Sequence, residues 1–216
     1  MAIFATVMQK GLYIEKKRED PLSEISIMEL WKIMSADLKR LLMADIFARI
    51  SSNMIGVYIV LYVLNILKAS PLHYGLMISV QMTTSILSYI PAAKLSDTYG
   101  RKPFVTATFL FFALFPITLV LMPNASLLPL ALIVLGLREM GEPARKALIV
   151  DLAEEEYRGK TIGLYYLIRG ATNIPAPLLG GLLWSISSHL PFYLAFYLAF
   201  IIGIVGVLIF RRVAVS

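Results

Sequence analysis

The residues with the most chemistry to offer in this chain are charges set among apolar neighbours. Arg138, Glu139, Glu142 and Arg145 follow an uncharged run, and Arg169 lies inside a second apolar stretch. An ion in hydrocarbon is costly, so such groups pair, line a water-filled path, or do both. Arg138, Glu142 and Arg145 recur at i, i+4 and i+7, which is one stripe of a helix. Arg169 sits at a comparable depth in its own stretch, where it could meet Glu139 or Glu142. Asn173 is one turn deeper on the same face. Two readings are open: a polar cavity wall or shifting charge network, and a static network that holds two helices together. For Arg145 and Lys146 the static reading is preferred. Asp45, Arg49 and Asn53 form a further i, i+4, i+8 stripe. Asp45 and Arg49 are expected to pair with each other at the membrane boundary, with Asn53 a deeper cavity candidate.

Other chemistries lack their residues. There is no cysteine, so no thiolate metal site or Cys nucleophile can form. Both histidines, His73 and His189, fall at helix ends on the side opposite the cations, and no Gly-x-Ser-x-Gly context surrounds a serine. No pair of aspartates lies at mid-membrane. The expectation is a chain that is not an enzyme, with no cofactor and no metal.

The elements that must carry these charges are membrane helices. Hydrophobic residues make up 58% of the 216 and charged residues 16%, against about a quarter charged in soluble domains. Six runs are long enough to cross the hydrocarbon, at about 41–67, 72–93, 104–122, 127–148, 161–187 and 190–210. They are continuous rather than alternating, which argues against a β-barrel. With six spans, sixteen of the twenty Lys and Arg fall on one side and only Lys68 on the other, while Arg49, Arg138 and Arg169 lie within spans. The cation-rich side is therefore cytoplasmic and holds both termini. A net charge of +6 concentrated in those loops indicates orientation, not nucleic acid.

Before the first span, residues 15–21 form a charged linker. Ile25, Met28, Trp31 or Ile33, and Leu38 then recur at helical spacing, and Ser26 with Glu29 fits a capping box. Two accounts fit equally: an amphipathic helix on the inner leaflet with Trp31 as interfacial anchor, or a linker helix packed on the protein.

The loop between the second and third spans, residues 94–103, holds Asp97, Gly100, Arg101 and Lys102 in one turn. It resembles the main loop motif of the major facilitator superfamily of transporters, Gly-x-Leu-Ala-Asp-[Arg/Lys]-x-Gly-[Arg/Lys]-[Arg/Lys]. Leu95, Asp97, Gly100, Arg101 and Lys102 match, whereas Ala93 and Thr98 depart, as is common in the family's second half. Residues 138–146 look like the Arg-containing fourth or tenth helix. Arg158-Gly159-Lys160 is similar to the step that opens the next helix. Gly163, Pro177, Gly180 and Gly181 resemble the Gly-Pro signature of the antiporter branch, from which Thr172 and Ala176 depart. Pro175, Pro177, Gly180 and Gly181 would also bend the fifth span and allow close packing.

The resemblance implies an all-α membrane protein in which residues 41–212 are six helices built as two inverted three-helix repeats, with a short tail at 213–216. That is half of the family fold, and the C-terminal half is preferred over the N-terminal one. Residues 1–40 then read as the end of a preceding helix and a cytoplasmic linker. The implied function is transport of a small solute across the cell membrane by alternating access, with protons as the default coupling ion. The loop would act as a latch on one state of the cycle. Implied partners are the lipid bilayer, an unidentified small-molecule substrate, protons, and a second six-helix half or a second copy, with no nucleic acid. The alternative is an inactive fragment or an assembly subunit that does not transport alone.

Overall fold

The computed structural model describes residues 25–210, apart from the side chains of 202–210. The charged linker at 15–21 and the tail at 213–216 lie outside the described residues. Among the described residues every regular element is helical.

Helix α1 (Ile27–Ile33) starts at the expected capping box. The Glu29 backbone N–H donates to Ser26 Oγ at 3.3 Å, and the Ser26 N–H donates to Glu29 Oε2 at 2.9 Å. The Ser26 backbone N–H, and then its side chain, hold the Glu29 carboxyl below its usual range. Its support for the helix is therefore present above the ordinary carboxylate value and lost as pH falls through the lowered one. Met34 breaks the helix, and Ser35 caps the next by accepting from the Leu38 N–H. Helix α2 (Ala36–Leu61) runs on through a wider π turn, Tyr62–Ile66.

Ser70 caps helix α3 (Pro71–Tyr99), and helix α4 (Lys102–Val120) follows after two residues. Much of the expected 94–103 loop is therefore helix. Residues 94–99 are the last turns of α3, because polar side chains at a membrane exit do not interrupt the backbone bonds. The stop is Gly100, at φ +88°, a conformation that glycine tolerates without a Cβ penalty.

Helices α2 with its π turn, α3 and α4 are long and apolar enough to cross a membrane. The two expected runs that follow are each divided. Helix α5 (Leu128–Leu137) passes through a tight 3₁₀ turn, Arg138–Gly141, into α6 (Glu142–Leu152). Pro143 lies in the first turn of α6, where its missing N–H does least harm. Helix α7 (Arg158–Thr172) stops before Pro175, and α8 (Ala176–Ile186) restarts with Pro177 in its first turn. Helix α9 (Leu190–Phe210) ends the described chain.

Helices α4 and α9 pack along each other, with α4 also against α5 and α9 also against α2. Helix α3 borders α5 and α6, whereas α7 and α8 border α2. Glycines set the closest approaches. A Cβ on Gly136 would lie 2.6 Å from the Gln81 carbonyl, and one on Gly180 would collide with the Met54 carbonyl. Two apolar clusters result. One gathers Leu38, Leu42, Val105, Phe109, Leu148 and Tyr165 at the α1 end. The other gathers Met54, Tyr62, Phe115, Leu132 and Phe192 toward the far end.

Candidate functional site

Three helices bring charges to one level. At about 1.5 Å rise per residue, Asp45 is roughly 14 Å from the start of α2. Glu142 is roughly 15 Å from the end of α6, and Arg169 roughly 17 Å from the start of α7. All three of those ends lie at the α1 end of the bundle: α1 packs on α7, and the Ser35 hydroxyl, at the head of α2, donates to the Leu152 carbonyl at 2.9 Å.

Asp45 is the centre of the network, and its side chain is only 2% exposed. Its Oδ2 accepts from Arg145 Nη1, from Arg169 Nη1 at 3.1 Å and from the Tyr165 hydroxyl at 3.1 Å. Arg49 Nε lies 3.7 Å from Oδ1. Glu142 is the second carboxylate. Its Oε2 accepts from Arg145 Nε at 3.1 Å, from Arg145 Nη2 and from Arg49 Nη2 at 3.2 Å, while Lys146 Nζ stands 3.8 Å from Oε1. Arg145 bridges the two acids and is almost completely buried. A buried charge needs this density of partners, because taking ions out of water costs several kcal/mol each.

The expected partners are partly rearranged. Asp45 does not simply pair with Arg49 at a boundary, since Arg145 and Arg169 close on it as well. Arg169 reaches Asp45 and not Glu139 or Glu142, and it stacks on Tyr166 at 4.5 Å. Arg138 turns aside. The 3₁₀ turn takes it off the Glu142–Arg145 stripe. It donates to Glu139 Oε1 at 3.0 and 3.2 Å and to Ser52 Oγ at 2.7 Å, over the Phe112 ring at 4.7 Å. Asn173 is half-buried, and its Oδ1 has no partner among the described residues. Asn53 is half-buried on α2, one turn beyond Arg49.

Sequence reasoning missed Tyr165, Ser52 and Phe112. Their only advance signal was helical spacing: Ser52 lies beside Asn53, and Tyr165 is one turn before Arg169.

The turn after α3 makes one strong contact. Arg101 pairs with Asp151 near the end of α6. Asp97 and Lys102 carry no ion pair among the described residues, and no hydrogen bond joins Asp97 to the start of α7. Gly100 supplies the turn. Pro175 and Pro177 sit at the α7–α8 break, while Gly180 and Gly181 press on Met54 and Tyr58.

The arrangement ties α2, α6 and α7 through one buried carboxylate, while Glu139 is held by a single arginine and is 31% exposed.

The family model of the Major Facilitator Superfamily matches residues 41–215. The chain belongs to this superfamily. A relative 28% identical over 140 residues is the class H tetracycline resistance protein of Pasteurella multocida, of which it covers 35%, using 65% of this chain. An uncharacterized MFS-type transporter of Bacillus subtilis is 26% identical over 186 residues, 86% of this chain and 45% of that protein. Another, from Methanocaldococcus jannaschii, is 31% identical over 104 residues, 48% of this chain and 26% of that protein. The chain thus spans less than half the length of each of these relatives. Membership places the long apolar helices in a membrane and assigns the chain to a family of transporters.

Proposed function

We propose that this chain supplies one six-helix half of a secondary transporter that moves a small solute by alternating access. In this reading α2, α3, α4, α5–α6, α7–α8 and α9 are six spans arranged as two inverted three-helix repeats, with both termini cytoplasmic. The observation that carries it is the buried Asp45 network, which ties α2, α6 and α7 of the unit. The Arg101–Asp151 contact fits a latch on the cytoplasmic side. Asp97, exposed beside it, is available to the positive end of a helix in the second unit. The similarity to a tetracycline resistance protein favours an organic molecule as the solute, and efflux coupled to protons is our reading for this chain. Glu139, held by a single arginine and partly exposed, is the carboxylate we assign to the coupling ion.

Unpartnered faces support the need for a second unit. On α3 the exposed stripe includes Gly75, Ser79 and Thr83; on α7 it includes Gly159, Gly163 and Gly170. A Cβ on Gly75, Gly159, Gly163 or Gly170 would meet nothing within 4 Å. Small residues at four-residue spacing let membrane helices approach closely. The same faces favour the second reading, a chain that inserts but does not transport alone.

The test is flux through the assembled transporter in proteoliposomes. Asp97→Asn is expected to lower flux by roughly fivefold or more, the scale of a coupling energy between states, with normal insertion. Unchanged flux would reject the latch.

A further inference from the structure

Helix α1 has more apolar surface than the protein covers. At about 100° per residue, Ile33, Leu30, Ile27, Trp31 and Met28 follow one another over roughly 220° of its circumference. A surface helix needs only about half of that to face a core. Leu30, with Met34 at the helix end, fills the core side at 7% and 2% exposure. The other half is open, with Ile27 64%, Met28 70% and Trp31 37% exposed.

Position and charge say what covers it. Only Met34 and Ser35 separate α1 from α2, the first membrane-crossing helix. Ser35 is tied to Leu152 and α1 rests on α7, so the open face is held at the bundle's end and cannot swing away. Lys32 follows Met28 around the helix, and Lys39 Nζ stands 5.3 Å from the centre of the Trp31 ring. Among the described residues neither lysine has an ion-pair partner. The acids of α1 and of the first turn of α2 are engaged, Glu29 in the capping box and Asp37 with Arg40 at 2.9 Å.

We propose that Ile27, Met28 and Trp31 form an interfacial anchor seated in an anionic lipid leaflet, with Lys32 and Lys39 taking headgroup phosphates. Tryptophan favours the headgroup level, and each lysine near an anionic surface adds attraction that salt screens. The anchor sets the depth of α1 and, through Ser35 and Leu152, the depth at which α2 and α6 meet the cytoplasm.

The test reads Trp31 alone. The chain has two tryptophans, and Trp184→Phe removes the other. The protein is reconstituted into phosphatidylcholine vesicles with or without phosphatidylglycerol, using lipids brominated near the top of the acyl chain. The expected result is loss of Trp31 emission to the brominated lipid, larger with phosphatidylglycerol. The Lys32→Gln, Lys39→Gln pair is expected to abolish that difference and keep the quenching. No quenching in either vesicle would overturn the anchor and indicate that residues 1–24 or another protein cover the face. Equal quenching with and without phosphatidylglycerol in the unaltered pair would overturn the anionic assignment.

Discussion

Asp45 concentrates the risk at the residue scale. Asp45→Asn would leave Arg145, 2% exposed, beside a neutral amide. Removing one partner of a buried pair costs about 3–5 kcal/mol. The expected outcome is a large drop in stability to denaturant in detergent, with Arg145→Gln in the same chain restoring part of it. Equal stability of Asp45→Asn and the parent would mean that the network is solvated. The pairing of Asp45 with Arg49 was legible, because i, i+4 spacing puts both on one face. Arg145 and Arg169 were not assigned to Asp45, since partners across helices depend on depth and rotation, which spacing along one helix does not report. Arg138 was misplaced on its stripe for a related reason. The stripe presumes 3.6 residues per turn, and the 3₁₀ turn at 138–141 has three.

Helix scale separates glycines that pack from glycines that wait. A Cβ on Gly180 would collide with the Met54 carbonyl, whereas one on Gly163 would meet nothing within 4 Å. Gly180→Ala is expected to destabilise the isolated chain by about 1–3 kcal/mol, as overpacking does. Gly163→Ala is expected to leave it unchanged in the same denaturation assay, while Gly163→Leu weakens association with a second unit in a membrane cross-linking assay. If Gly163→Ala destabilised the chain alone, its face would be an internal contact. Long helices were legible from hydropathy, because hydrocarbon thickness dictates length. Their ends and breaks were less so. Helix α3 outran its apolar stretch by six residues to Tyr99, and α7 broke from α8 where Pro175 and Pro177 remove backbone donors.

For the whole molecule, the half-transporter reading predicts insertion without flux when the chain is alone, and flux when a second six-helix unit is supplied. Measurable flux from purified chain alone would contradict it. The fold family was legible in Asp97, Gly100, Arg101 and Lys102, whose spacing across the α3–α4 junction matches the family motif. The substrate was not, because in the half-transporter reading the cavity is shared by two units and only half encoded in either one. In the half-transporter reading proposed above, the face of α2 carrying Asn53 lines the path shared with the second unit and is not a lipid contact. The chain has no native cysteine, so single cysteines can be read cleanly with a membrane-impermeant maleimide added to the cytoplasmic side of everted membranes. Thr98→Cys serves as the accessible reference and Leu110→Cys, exposed on α4, as the lipid reference. The account predicts that Asn53→Cys reacts like Thr98→Cys in the assembled protein. An Asn53→Cys as silent as Leu110→Cys from both sides of the membrane would contradict it.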